Sequence, residues 1–452
     1  MVLFPASIHV EFKRGTVMQD LHNLFTEAVS LHQRRELVEA EKRYRKIHHA
    51  LPENINVLAN LGIVCRDLGK LAEAETYCRK TIAFAPDDPD QHLNLGAVLE
   101  ARNDTAGARL AYEKALELAP SHPKVLNNLG KLLHQLGVTA RGLELIEQAV
   151  RIEPNYPQAL NNLGVMHSER GDLQLAGKLL EKSVSLDPDN VNTLYNLAGV
   201  YNGQNNFTGA KTILNRLLAI EPDHQPARHM FAAISGATPP SAPRQYVEEI
   251  FDKYAHRFDV HLEKSLGYTA PAALAAMVRD TLPPTALPFA AALDLGCGTG
   301  LSGAAFKEMT KRLAGIDVSA QMLAKAREKH LYDRLEHAEI LDFLKQEEYY
   351  DLFIVADVLV YLGDPQPLFS AIAARAKEKS IVACSIEQTQ DVEGFVLLPS
   401  GRYAHNPPYL VACAAAAGFA VLGHQAHRIR KENGQWLAGD LYLFIKSGAG
   451  LR

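Results

Sequence analysis

From about residue 21 to residue 224, apolar and small residues return with one period of 34 positions. Pro52, Pro86, Pro120, Pro154, Pro188 and Pro222 keep this period without a slip. In the same phase run Leu61, Leu95, Leu129, Leu163 and Leu197. Two rows of small residues follow, Ala28, Gly62, Gly96, Gly130, Gly164 and Ala198, then Ala40, Ala74, Ala108, Gly142, Ala176 and Ala210. A row of larger residues, Tyr44, Cys78, Tyr112, Ile146, Leu180 and Leu214, lies four positions beyond the second. The pattern predicts two antiparallel helices per period. Small residues let the helices approach, the larger residue fills the gap, and proline closes each unit. Six units stack into a superhelical solenoid over residues 21–235, with Gln225 to Ser235 as a capping helix.

The helical period stops at Gly-Ala-Thr-Pro-Pro-Ser-Ala-Pro, Gly236 to Pro243, and residues 236–245 read as a short, stiff linker. Strands and helices then alternate. Strands are predicted at Ala291 to Leu295, Leu313 to Val318, Leu335 to Ile340, Leu352 to Ala356 and Ser380 to Ile386, with a helix from Ser319 to His330. Such alternation predicts a parallel sheet with crossover helices. Phe419 to Arg430 and Leu437 to Lys446 flank Asn433-Gly434, the strongest short hairpin signal. The second domain is therefore expected over 246–452, with N-terminal lid helices at 246–290 and an α/β core at 291–446.

Composition narrows the functional classes. With 47% hydrophobic and 22% charged residues and a formal net charge of -5, the chain reads as a soluble globular protein. It has no basic footprint for nucleic acid and no apolar run long enough for a membrane span. Its five cysteines form no Cys-x-x-Cys pair, so no metal site is expected, and their scatter fits a reducing cytoplasm. Residues 1–20 are expected to be a leader or arm. Lys13 and Arg14 follow the apolar start, the wrong order for a secretory signal, and Met18 is an alternative beginning.

The 34-residue pattern resembles the tetratricopeptide repeat family, whose concave face usually binds peptide. Asn60, Asn94, Asn128, Asn162 and Asn196 precede the leucine row. Asparagine costs a helix roughly 0.5 kcal/mol against alanine, while its amide can donate to and accept from a peptide backbone. The row resembles the asparagine ladder of protein O-linked N-acetylglucosamine transferases and implies a peptide or protein partner. Local bonding between the helices is the alternative.

Asp294-Leu-Gly296-Cys297-Gly298-Thr-Gly300 follows the first strand and opens a helix, and Asp317 ends the second strand 21 residues beyond Gly296. Glycines let a backbone approach a ligand, and a carboxylate there can accept from ribose hydroxyls. Gly298, Gly300 and Gly303 also satisfy a dinucleotide fingerprint, so nicotinamide binding is an alternative. The longer string and the terminal hairpin resemble class I methyltransferases, a Rossmann-like fold with a seven-stranded sheet and S-adenosylmethionine as cofactor. The resemblance implies that Gly296, Cys297, Gly298 and Gly300 pass under the methionine part, with Asp294 bracing the loop. It further implies that Asp317 holds the ribose with Val318 in the cofactor site, that Met322 packs on the adenine, and that Asp342 accepts from the adenine amino group with Phe343 beside it. Asp357 is placed near the sulfonium. Tyr254 to Leu262, Leu266-Gly267-Tyr268, Pro271 and Ser400 to His405 resemble bacterial repeat-containing methyltransferases, in which the first segment covers the cofactor.

Methyl transfer needs an aligned nucleophile and, for some acceptors, a base. The candidates are Tyr254, His256, Asp357, Tyr361, Glu387, Arg402, Tyr403 and His405. His405 is expected to be the base, with Arg402 and Tyr403 beside it and Asp357 at the reacting end. Asn406-Pro407-Pro408-Tyr409 spells a tetrapeptide of N-methyltransferases but follows the fifth strand rather than the fourth. Asn406 as a helix N-cap with Pro407 at the first helical position explains it well. The expected function is methylation of a peptide or protein held by the repeats. The alternatives are a small-molecule methyltransferase whose repeats recruit a partner, and a scaffold with an inert catalytic fold.

Overall fold

A computed structural model describes residues 16–255, 258–260, 267–432 and 435–447. The chain divides into two compact units, residues 1–188 and 189–452. In the first, five antiparallel pairs run α1 (Thr16–Gln33) with α2 (Leu37–Ala50), α3 (Ile55–Asp67) with α4 (Leu71–Phe84), and α5 (Pro89–Ala101) with α6 (Thr105–Leu118). They continue as α7 (Pro123–Gln135) with α8 (Thr139–Ile152) and α9 (Pro157–Glu169) with α10 (Leu173–Leu186).

Two of the sequence rows meet inside each pair. A Cβ at Gly62 would meet Cys78 Sγ at 3.0 Å, at Gly130 the Ile146 side chain at 2.6 Å, and at Gly164 Leu180 at 2.8 Å. At Gly96 it would collide with the Tyr112 ring. The glycine of the first helix thus makes the socket that the larger residue of the second fills. Asn54, Asp104 and Asp172 cap helices by accepting from backbone amides of the first turn, and Pro89, Pro123 and Pro157 occupy the first helical position.

The second unit opens with the last repeat, α11 (Val191–Gly203) and α12 (Phe207–Ile220), and the cap α13 (Gln225–Ser235). Next come α14 (Arg244–Tyr254), the turn α15 (Phe258–Val260) and α16 (Ala270–Thr281). The core then runs β1 (Ala292–Leu295), α17 (Leu301–Phe306), β2 (Leu313–Asp317), α18 (Ala320–Glu328), β3 (Arg334–His337), α19 (Ile340–Phe343) and β4 (Tyr350–Val355). It ends with α20 (Gln366–Arg375), β5 (Ala376–Glu387), β6 (Phe395–Leu397), β7 (Tyr403–His405), α21 (Pro407–Ala416), β8 (Phe419–Glu432) and β9 (Gln435–Lys446).

The seven-stranded sheet has the order β3-β2-β1-β4-β5-β9-β8. Its first five strands pair in parallel, and β9 runs antiparallel to both β5 and β8. The predicted Asn433-Gly434 turn lies outside the described residues. Two apolar clusters cover the sheet, one including Leu293, Phe353, Phe369 and Phe444, the other Leu274, Phe306, Ile354 and Leu443. Strand order reverses beside β1, where β2 leaves one way and β4 the other. Such a switch point opens a crevice at the carboxyl ends of the strands. No helix of the described residues is long and apolar enough to cross a membrane.

Two features depart from the sequence expectation. The third strand stops at His337, because Glu339 turns the chain into α19 by accepting from the Asp342 amide at 3.0 Å. Residues 236–245 are also no free connection. The Ala242 amide donates to the Tyr361 carbonyl at 2.9 Å, and the Asp364 amide donates to the Pro240 carbonyl at 2.9 Å. The cap helix is pinned as well. His229 Nε2 lies 2.9 Å from the Gly401 carbonyl, with its ring against Tyr246, and Asn202 donates to the Pro399 carbonyl at 2.8 Å.

Candidate active site

A cavity of about 500 Å³ opens at the switch point. Its floor is the β1–α17 loop. Gly296 and Gly298 take φ of +70° and +54°, a region costly for residues with a Cβ, and Gly300 follows at +92°. Gly296, Cys297, Gly298 and Thr299 line the cavity, and a Cβ at Gly298 would meet nothing nearer than Phe258 at 3.9 Å. Asp317 and Val318 line it from the end of β2. Glu339, Ile340 and Leu341 come from the β3–α19 turn, and Asp357, Val358 and Tyr361 from the segment after β4. Phe251, Phe258, Tyr268 and Pro271 form the opposite wall, and the pinned strap adds Pro240, Ser241, Ala242 and Arg244.

Asp317 is buried and doubly held. Its oxygens accept from the Gly298 and Ser319 amides, each at 2.8 Å. Burial nevertheless raises its pKa to about 6, the two amides opposing. Asp294, one strand below, is raised further by burial, to about 7. Its Oδ2 accepts from the Tyr332 hydroxyl at 2.7 Å, and its Oδ1 has no partner among the described residues. Sequence reasoning passed over Tyr332. Its hydroxyl also accepts from the Gly303 amide at 3.1 Å. A Cβ at Gly300 would press on the ring at 3.1 Å, one at Gly315 would meet it at 2.8 Å, and one at Gly303 would collide with the hydroxyl. The third glycine of the apparent dinucleotide fingerprint therefore makes room for a protein ring. Three glycines around one position were the available signal.

Several expected roles change. Asp342 is exposed, pairs with Lys345 at 2.6 Å and does not line the cavity. Phe343 and Met322 are buried among core residues instead of lining it. Because the strand ends early, Glu339, Ile340 and Leu341 line the cavity on this side, and Asp342 and Phe343 do not.

Arg402 is buried, with Nη2 donating to Asp357 at 2.7 Å and Nε to Glu387 at 2.6 Å. Its ring-face contact with Tyr361 completes the enclosure, so it has no free fork for a substrate carboxylate. Burial alone would lower its pKa, but Asp357 and Glu387 outweigh that and keep it charged. Glu387 is itself raised by burial against the pull of Arg402 and Arg430.

Tyr403 is buried against Phe395 and His229. His405 is buried, and its Nε2 lies 2.9 Å from the carbonyls of both Leu362 and Gly363. Carbonyls only accept, so Nε2 carries the proton, and Nδ1 has no partner. Burial lowers its pKa. None of Arg402, Tyr403 or His405 lines the cavity. His405 braces the segment that the strap bonds to, and is not placed to take a proton from an acceptor.

Asp357 does line the cavity, at φ +59°, its amide donating to Ser385 Oγ at 2.9 Å. Tyr254 is the last residue of α14, and His256 lies outside the described residues. Asn406 caps α21, accepting from the Tyr409 amide at 3.4 Å, so its tetrapeptide is a helix start.

The asparagine row is unevenly committed. Asn60 is buried and donates to the Asn56 carbonyl at 2.9 Å. Asn162 donates to Asn127 Oδ1 at 2.9 Å, and Asn127 to Asn128 at 3.1 Å. Asn94 is half-buried, its Nδ2 without a partner, and Asn196 is half-buried on α11.

The family model "Methyltransferase domain" matches residues 293–382, and "Tetratricopeptide repeat" models match 51–121, 93–157, 127–191 and 168–234. The chain is a tetratricopeptide-repeat protein with a methyltransferase domain. A curated relative, carboxy-S-adenosyl-L-methionine synthase of Helicobacter pylori strain P12, is 34% identical over 105 residues, 21% of this chain. That match covers 43% of the relative, so the chain spans less than half the length of the curated relatives it matches.

Among solved structures, magnesium protoporphyrin IX methyltransferase of Synechocystis PCC 6803 with bound S-adenosylmethionine is 14% identical, with a TM-score of 0.36, covering 45% of this chain and 97% of that one. The tetratricopeptide-repeat protein YrrB is 22% identical, with a TM-score of 0.31, covering 41% and 96%.

The residues present fit S-adenosylmethionine. The glycine loop offers bare backbone, Asp317 offers a carboxylate at the ribose position, Ile340 and Leu341 offer an apolar wall for a base, and the volume lies within the usual 300–1,000 Å³ of ligand cavities.

Proposed function

We propose that this protein is an S-adenosylmethionine-dependent methyltransferase of the cytoplasm that modifies a peptide or protein recruited by its repeats. The carrying observation is one cavity in which the left-handed glycine loop, Asp317 and Asp357 converge. When bound, the cofactor would supply an electrophilic methyl group. Gly296, Cys297 and Gly298 would hold its amino-acid part, Asp317 its ribose, and Ile340 with Leu341 its base.

The aromatic wall of Phe251, Phe258 and Tyr268 excludes water from the reacting end. Asp357 is the described carboxylate best placed to orient an acceptor or take its proton. Arg402 Nη2 donates to its Oδ1 at 2.7 Å. Asn94, Asn128, Asn162 and Asn196 are the candidate peptide contacts, with Asn60 the least available. Five buried free cysteines agree with a reducing compartment.

Calorimetric titration of the full chain tests the cofactor: S-adenosylmethionine and S-adenosylhomocysteine bind, and NADH does not. Mass spectrometry of co-purified proteins, with and without cofactor, then identifies the acceptor. Changing Asn128 and Asn162 together to alanine raises the Michaelis constant of that acceptor and leaves a short free analogue unaffected. Unchanged kinetics with a lowered melting temperature would make the row structural.

A further inference from the structure

An acceptor entering the cavity at Asp357 meets one carboxylate and several aromatic rings. Arg402 Nη2 donates to Asp357 at 2.7 Å, Arg402 Nε donates to Glu387 at 2.6 Å, and Arg430 lies 3.5 Å from Glu387. Of these four side chains Asp357 alone lines the cavity. The rings of Phe251, Tyr268 and Tyr361 line it too, and Phe251 meets Tyr361 edge to face at 5.4 Å. Tyr361 already holds the Arg402 guanidinium 5.5 Å from its ring centre. A carboxylate among aromatic rings is a setting that favours positive charge.

The other lining groups argue against the other acceptors. An anionic acceptor, a carboxylate or a thiolate, would be repelled by Asp357 and would find Arg402 already committed. The lining cation that remains among the described residues, Arg244, is half exposed and pairs with Glu248 at 3.6 Å. A hydroxyl acceptor would need a base. The described lining residues include no histidine or lysine. Burial raises the pKa of Cys297, Tyr268 and Tyr361 and keeps all three protonated. A carboxylate is too weak a base for an alcohol. An amine needs neither a cation nor a strong base. Its lone pair is available once its proton has gone to water, and a remaining N–H can donate to Asp357.

We propose that the acceptor atom is an amine nitrogen, carried in a peptide by a lysine side chain or a free amino terminus, and that Asp357 with the neighbouring rings selects it. The inference rests on the S-adenosylmethionine reading of the cavity. Charge balance supplies the reason. The nitrogen lone pair forms the new bond to the methyl carbon, the carbon–sulfur bond breaks, and its electron pair stays on sulfur. One positive charge passes from sulfur to nitrogen and none is lost; the product ammonium then releases a proton to water. Surroundings that stabilise this charge at the start also stabilise it in transit and at the end. With an anionic acceptor the same transfer would cancel the charge, and Asp357 would oppose the approach.

The test uses the full chain saturated with S-adenosylhomocysteine, whose sulfur is neutral, and three probes of similar shape: n-butylammonium, n-butanol and butyrate. Calorimetry should show n-butylammonium binding ~10-fold or more tightly than either of the others. Asp357→Asn should erase that preference while S-adenosylhomocysteine still binds, since asparagine tolerates the left-handed backbone at φ +59°. A second measurement reads the bond formed. With a tritiated methyl donor and the co-purified acceptor, acid hydrolysis should yield the label on N-methyl amino acids. Label on the ε-nitrogen marks lysine, and label on an α-nitrogen marks an amino terminus. Butanol or butyrate binding as tightly as n-butylammonium, a preference that survives Asp357→Asn, or no binding of any probe overturns the amine site. Label released as methanol by mild alkali marks a methyl ester and overturns it as well. A wild-type chain that does not bind S-adenosylhomocysteine refutes the cofactor reading itself, and the amine assignment falls with it.

Discussion

Replacing Tyr332 by phenylalanine removes one oxygen from the deepest part of the catalytic unit. That oxygen donates to Asp294 and accepts from the Gly303 amide in the first turn of α17. The ring still fills the space left by Gly300, Gly303 and Gly315, so packing is conserved. Two buried groups lose a partner, and each costs about 1–3 kcal/mol, giving about 2–6 kcal/mol in all. The loss also depends on pH.

Burial raises Asp294 to about 7 in the folded state, above its ordinary 3.8. The stability tied to its protonated form is fully present below pH ~4 and is lost as pH rises through about 7. The Tyr332 hydroxyl lowers this pKa, so removing it raises the value further and extends the loss to higher pH. The variant should therefore lose about 1 kcal/mol or more extra stability at pH 8 than at pH 5. Urea unfolding followed by tryptophan emission isolates the right unit, because Trp436 lies in residues 189–452. An equal loss at both pH values, or a loss under about 1 kcal/mol at pH 8, refutes the assignment of Asp294 as a buried, Tyr332-dependent carboxylate.

Two further outcomes follow from the corrected roles. Ala242→Pro removes the amide that bonds the Tyr361 carbonyl, and S-adenosylhomocysteine affinity in calorimetry should fall ~5-fold or more with little change in melting temperature; unchanged affinity would make the strap passive. His405→Gln, which keeps a donor for the Leu362 and Gly363 carbonyls, should retain turnover per folded molecule, while His405→Ala chiefly lowers the melting temperature; a stable His405→Ala enzyme without turnover would return His405 to catalysis.

The repeat array was legible because its signal is redundant. Glycine on one helix and a larger residue on the next, 16 positions later in Gly62 and Cys78 or Gly164 and Leu180, are two halves of one contact. The glycine loop, Asp317 and the parallel sheet with its closing hairpin were legible for a similar reason, since spacing along the chain maps onto the strand ends, whereas the strand order was not. Orientation was not. Arg402, Tyr403 and His405 have the residue types of a reacting site, yet they turn inward, because Glu387 and the carbonyls after β4 need partners that no local pattern records. Asp342 was misplaced by one helical turn, because Glu339 ends β3 early, an effect decided by a side-chain cap rather than by apolar periodicity. The apparent linker was read from its prolines as a spacer. Its backbone bonds to residues 361–364 are long-range and leave no trace in composition.

Those bonds mean that the boundary between repeats and catalysis is not a seam along which the protein can be divided. A chain beginning after residue 245 would lack Pro240 to Arg244 and would expose one side of the cofactor cavity to water. It would also lose His229, which bonds the Gly401 carbonyl behind it. The same continuity works as a balance. Whatever strains α13 at the end of the array strains a wall of the cavity, and whatever fills the cavity braces that end by an equal free energy. Affinity for the methyl donor is in this sense a property of the last repeat as well as of the glycine loop.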